Sequence, residues 1–214
     1  MSNDADKGYA KAPLAVRATV ALLITLAFLI VPALGDQWAY KHLYIDRVYD
    51  RDWAMALRAY GTFYVWLPVA LILWLELRER DPLAAKKQAY LLLGSPAVAG
   101  ILCEVMKLLI RRERPDVDHG AWVFRDWSDH TFSSAGLATP SSHTMVAFGA
   151  ATMLARMYPR ARWVFYVLAW GCGATRMLSH AHYLSDVTFG ALLGWAVGWG
   201  LWMQFCPKPA ASAA

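Results

Sequence analysis

His182 and Asp186 stand four residues apart in the stretch Arg176-Met-Leu-Ser-His180-Ala-His182-Tyr-Leu-Ser-Asp186. At that spacing the carboxylate can accept a hydrogen bond from one imidazole nitrogen, fix the tautomer and leave the other nitrogen free to react. Such a pair orients a nucleophile or contributes to a metal site, and the sequence places no third ligand nearby. A second imidazole, His143, belongs to Thr139-Pro-Ser-Ser-His-Thr144, where an apolar run begins. Thr139 fits an N-cap and Pro140 a first helical position. A helix start presents free N–H groups and the positive end of its dipole to an anion, with His143 in the first turn. The third group is cationic, Lys107-Leu-Leu-Ile-Arg-Arg-Glu-Arg114-Pro115. If the helix runs past Ile110, then Lys107, Arg111 and Arg114 form one stripe at i, i+4 and i+7, and Pro115 ends it. Each group also has a plain structural account: a snorkelling lysine beside surface arginines, a capped helix start, and a carboxylate capping the last helix.

The elements that must carry these residues are apolar. Of the 214 residues, 58% are hydrophobic, and the mean hydropathy is +0.31, too greasy for an ordinary soluble domain of this length. Eleven tryptophans and ten tyrosines suit a membrane class, since amphipathic rings collect at headgroup level. Segments near 15–34, 55–76, 89–110, 141–158, 161–180 and 187–206 approach the roughly 20 apolar residues that cross a bilayer. The first also resembles a secretory signal, although its polar lead, residues 1–14, is long for one. Retained, it makes six helices in a single domain over 1–206, followed by a tail at 207–214 expected to be disordered.

With both termini on one side, that side holds eleven of the 21 lysines and arginines. Setting aside Lys107, Arg114 and Arg176 as retained for chemistry leaves seven on the other, which puts the termini in the cytoplasm. All three groups then fall on the non-cytoplasmic face, next to the one long loop, Arg111 to Thr139. The net charge of +5 is spread between apolar segments, which argues against a nucleic-acid partner and for anionic lipid or substrate. Cys103, Cys172 and Cys206 show no metal-ligand spacing and read as small buried thiols.

K-x6-R-P (Lys107, Arg114, Pro115), P-S-x-H (Pro140, Ser141, His143) and R-x5-H-x3-D (Arg176, His182, Asp186) together resemble the tripartite signature of the type 2 phosphatidic acid phosphatase superfamily. The resemblance spans residues 107–186 and extends to the six-helix plan; the N-terminal hundred residues contribute no motif. It implies an all-α polytopic membrane protein, six transmembrane helices in one bundle, with its active site at the non-cytoplasmic face of a bacterial inner membrane. Lys107, Arg114 and Arg176 would grip the phosphoryl oxygens, with Ser141 by its hydroxyl and Ser142 by its N–H as neutral donors. His182, oriented by Asp186, would attack phosphorus to give a phosphohistidine, and His143 would protonate the leaving oxygen. No metal or other cofactor is required on this scheme, because fixed cations do the electrostatic work.

Two positions depart from the family pattern, Ser142 where glycine is usual and Thr175 where serine is usual. The implied partner is a lipid phosphate in the bilayer: phosphatidic acid, phosphatidylglycerol phosphate, polyprenyl diphosphate or a lipid A phosphate. Phosphotransfer to another hydroxyl, and non-enzymatic transport of an anion or lipid, stay open beside hydrolysis, as does the oligomeric state. His119 and His130 read as loop residues and His180 receives no role. Arg111 and Arg112 read as interfacial surface charge or as holders of a second phosphate or headgroup.

Overall fold

A computed structural model describes residues 14–115 and 120–206. The described residues form seven α-helices: α1 Leu14–His42, α2 Asp52–Ala59, α3 Trp66–Leu77, α4 Pro82–Ile110, α5 Ser142–Met157, α6 Arg162–Leu178 and α7 Leu184–Phe205. Short 3-10 turns lie at Val48–Asp50, Phe63–Val65 and Pro159–Ala161. The only pairing of extended backbone among the described residues is two isolated antiparallel bridges, Arg112 with Phe124 and Glu113 with Leu137. The expected polar lead at 1–14, all but its last residue, the tail at 207–214 and His119 lie outside the described residues.

Five of the six expected segments appear as single helices, and 55–76 does not. Gly61 and Thr62 interrupt it, and α2 meets the helix that follows at 82°. Helix α4 starts earlier than its apolar run because Asp81 accepts a hydrogen bond from the Ala84 N–H at 3.0 Å and Pro82 occupies the first position. Helices α4 and α7 are long and apolar enough to cross a bilayer, and the bent α2–α3 pair makes a third if counted as one span.

Helix α5 is the axis of the molecule. Its residues from Thr144 to Ala155 are all buried, as expected of a helix apolar on every side. On one flank Val146, Ala150, Met153 and Leu154 pack with Trp66 and Ala70 of α3 and Leu91 and Leu92 of α4. On the other, Ala147, Phe148 and Ala151 pack with Ala169 and Cys172 of α6 and Ala191 of α7. Helix α7 approaches α5 through Gly190, Gly194 and Gly198, a small residue on every fourth position. A side chain at Gly194 would collide with the Met145 carbonyl, and one at Gly198 would stand 2.8 Å from Thr152 Cβ. Large apolar side chains such as Leu71, Ile72, Leu83, Ile101, Leu109, Trp163 and Val167 face outward, as lipid-facing side chains do.

Three junctions meet at one end of this bundle: the end of α4 with its loop, the start of α5, and the α6–α7 turn. The Ala138 N–H donates to the Arg112 carbonyl at 2.7 Å and the Ser141 N–H to the Asp186 carbonyl at 3.1 Å, which ties the three together.

Candidate active site

The cationic group does not form the expected stripe. Helix α4 ends at Ile110, and Arg111 turns left-handed with φ 60° while its N–H still donates to the Lys107 carbonyl at 2.8 Å. Arg114 therefore sits in the loop, fixed by its N–H on the Gly136 carbonyl at 3.0 Å, with an exposed side chain. Arg111 and Arg112 are buried, against the expectation of surface or headgroup charge. Arg111 donates to the carbonyls of Arg125, Asp126, Asp129 and Thr131 and so folds the long loop around its guanidinium. Arg112 bridges two acids, Asp36 at 2.7 Å and Asp186 at 2.9 Å.

Lys107 is 4% exposed, and its ammonium donates to the Ser142 hydroxyl at 2.6 Å. Glu104, one turn earlier on α4, lies 3.4 Å from Lys107 Nζ and accepts from the Ser142 hydroxyl at 3.1 Å. Ser142 thus contributes a side-chain bond that the usual glycine could not make. Thr139 is not the cap of α5: the helix begins at Ser142, Ser141 holds the N-cap position, and the Thr139 hydroxyl donates to Asp186. Pro140 accordingly precedes the helix and does not open it. The Ser141 hydroxyl accepts from Thr144 at 3.0 Å and is fully buried.

His182 lies in the turn between α6 and α7, its N–H on the Arg176 carbonyl at 3.2 Å. Its Nδ1 is 3.8 Å from Asp186 Oδ2, close enough for attraction and too far for a hydrogen bond. That nitrogen has no hydrogen-bond partner among the described residues, and neither has the buried Nε of Arg176. Asp186 also caps α7, as expected, by accepting the Tyr183 N–H at 2.8 Å. Burial pushes the His182 imidazole down to about 4, against the upward pull of Asp186 and with Arg176 and Arg114 adding to the fall, so the ring is neutral at neutral pH. His143 lies within electrostatic reach of Arg176, Arg58, His182 and Lys107. The two imidazoles and the motif cations therefore lie within electrostatic reach of one another at this end of the bundle.

Several residues beside these groups carry no sequence signal. Tyr49, in the segment between α1 and α2, accepts from Arg176 at 2.6 Å and donates to the Thr175 carbonyl at 3.1 Å. Arg58 of α2 stands over the Tyr49 ring at 4.6 Å. His180 is structural: its Nε2 bonds the Tyr40 carbonyl at 2.8 Å and its ring stacks on Tyr40. His130 is exposed and bonds Asp129.

A helical bundle of membrane-spanning character, with two imidazoles and a set of cations gathered where its junctions meet, defines the class. Residues 88–208, more than half of the chain, match the PAP2 superfamily, and the chain belongs to it. The chain is 40% identical over 100 residues to a lipid A 1-phosphatase of Rhizobium johnstonii, covering 45% of this chain and 39% of that protein. It is 39% identical over 105 residues to a lipid A 1-phosphatase of Rhizobium etli, covering 47% and 42%. The chain thus spans about two fifths of the length of these relatives. Its fold is similar to the crystal structure of a transmembrane PAP2 type phosphatidylglycerolphosphate phosphatase from Bacillus subtilis, with a TM-score of 0.62 over 88% of this chain and 98% of that one. At 19% identity that likeness concerns the fold alone.

Proposed function

We propose that this protein is an integral-membrane phosphatase that hydrolyses a lipid phosphate monoester or a polyprenyl diphosphate through a phosphohistidine, without a metal. The observation that carries this reading is the buried His182, its Nδ1 3.8 Å from Asp186 Oδ2 and its ring within electrostatic reach of Arg176 and Arg114. A transport path has no need of a nucleophile held in that way.

In the proposed reaction the phosphoryl oxygens are gripped by Lys107, Arg114 and Arg176, and one of them supplies the acceptor that the buried Arg176 Nε–H lacks. Ser141 and the N–H groups at the start of α5 add neutral donors. Because Nδ1 of His182 faces Asp186, Nε2 attacks; a bond from Nε2 to phosphorus forms as the bond from phosphorus to the lipid oxygen breaks. His143 gives its proton to that oxygen, the phosphate having brought the negative charge that lets an imidazole hold a proton among so many cations. Water, deprotonated by His143, then attacks phosphorus and releases inorganic phosphate and free His182.

The membrane setting belongs to the same proposal: one domain over 1–206, six spans with α2 and α3 counted as one, both termini in the cytoplasm, and the site on the opposite face of a bacterial inner membrane. The name of the two Rhizobium relatives, lipid A 1-phosphatase, describes removal of phosphate from a lipid and supports a lipid substrate. The test is a panel of phosphatidic acid, phosphatidylglycerol phosphate, undecaprenyl diphosphate and lipid A, assayed for inorganic phosphate with chelator present. At least one releases phosphate with wild type and none with His182→Ala. Strict dependence on added magnesium, phosphate release by the variant, or binding without release would overturn the reading.

A further inference from the structure

Behind the reacting groups lies an ion triad of which only Asp186 is a motif residue. The Arg112 guanidinium sits between the Trp122 and Tyr183 rings, 4.1 and 4.4 Å from their centroids. One arm donates to Asp36 Oδ2 at 2.7 Å and the other to Asp186 Oδ1 at 2.9 Å. Asp36, Arg112 and Asp186 are 1%, 2% and 0% exposed, so bulk solvent does not screen their charges. Ser185 closes the arrangement: its N–H and hydroxyl donate to Asp36 at 2.8 and 2.6 Å, and its oxygen accepts from Arg112 at 2.7 Å.

A buried ion triad is a poor stabiliser, because desolvation offsets much of its Coulomb attraction. What this one does follows from its neighbour. Arg112 occupies Oδ1 of Asp186 and leaves Oδ2 turned toward His182 Nδ1. Two carboxylates and one guanidinium leave one net negative charge against the imidazole, and without Asp36 that charge would vanish. We propose that Asp36 and Arg112 are positioning residues for the nucleophile, Arg112 by aiming the Asp186 carboxylate and Asp36 by offsetting the charge that Arg112 brings. The inference rests on the reading of His182 as nucleophile. As Nε2 bonds to phosphorus the ring becomes cationic, and the net charge of the triad is what stabilises it.

The groups facing His182 are Asp186 of α7, Arg176 of α6, Arg114 after α4 and His143 of α5. Asp36 and Arg112 act through the first of these, so changing them alters the field and the aim of Asp186 without removing any group that faces His182. The experiment is the pH profile of kcat/KM, on whichever lipid phosphate the panel ranks first, for Asp36→Asn, Arg112→Gln and Arg112→Lys. Asp36→Asn removes a negative charge and moves the acid limb to lower pH; Arg112→Gln removes a positive one and moves it to higher pH. Arg112→Lys keeps the charge and loses the two-armed grip, so the limb stays while kcat falls by about 10–100-fold with KM little changed. If Arg112→Gln does not accumulate, the contrast between Asp36→Asn and Arg112→Lys decides. Limbs that overlay wild type in every folded variant, or that move the same way for opposite charges, overturn the proposal. His182→Ala in the same series separates the two readings: activity there refutes the nucleophile, whereas a dead variant beside unmoved profiles refutes the triad alone.

Discussion

An ammonium inside an apolar helix needs local compensation, and at Lys107 this comes from the Ser142 hydroxyl and the Glu104 carboxylate, both within 3.4 Å. Phosphate would compete for the same ammonium. Lys107→Met should therefore lower kcat/KM by about 10²–10³-fold, the usual loss of one preorganised transition-state donor, whereas Ser142→Gly should cost less than about tenfold. Steady-state kinetics on one lipid phosphate checks both, and near-normal turnover by Lys107→Met would remove it from the site. His182 and Asp186 stand out in the sequence because they are four apart, and Lys107 and His143 because each sits in a short stretch of reactive residue types. Asp36 and Tyr49 could not, since their partners Arg112 and Arg176 lie 76 and 127 residues away. The burial of Arg111 and Arg112 is hidden in the sequence for a related reason: a run of charges ordinarily marks a solvated face, and only the folded loop shows the carbonyls and carboxylates that enclose them.

Helices α5 and α7 carry His143 and Asp186, and the separation of the two helices is set by Gly190, Gly194 and Gly198. Gly194→Val forces the Met145 backbone aside. It should destabilise the protein by about 1–3 kcal/mol through overpacking. A lower thermal midpoint in detergent, with activity falling in step, is the expected result; unchanged stability would mean that α5 and α7 do not pack through these glycines. Apolar runs disclosed most helices, because length and hydropathy survive without tertiary context. Ends were harder. The α2–α3 bend falls at Gly61 and Thr62 within a mostly apolar run, and α4 starts at its Asp81–Pro82 signal, several residues before its apolarity begins. Thr139 has the chemistry of a cap, yet its hydroxyl goes to Asp186, a partner that local propensity does not register.

At the scale of the whole molecule, the outward-facing leucines, isoleucines and tryptophans leave the helix ends as the place where charge can gather. Three stretches of sequence meet there, tied by backbone bonds from Ala138 to Arg112 and from Ser141 to Asp186. The account depends on that meeting point making His182 a nucleophile. The most direct measurement is to quench turnover of a lipid carrying radiolabelled phosphate and to locate the label on the protein. The account predicts an acid-labile, alkali-stable label on His182, formed in wild type, absent from His182→Ala, and lost again as inorganic phosphate appears. Phosphate release with no labelled protein in the quenched sample, or a label that survives the loss of His182, would contradict it.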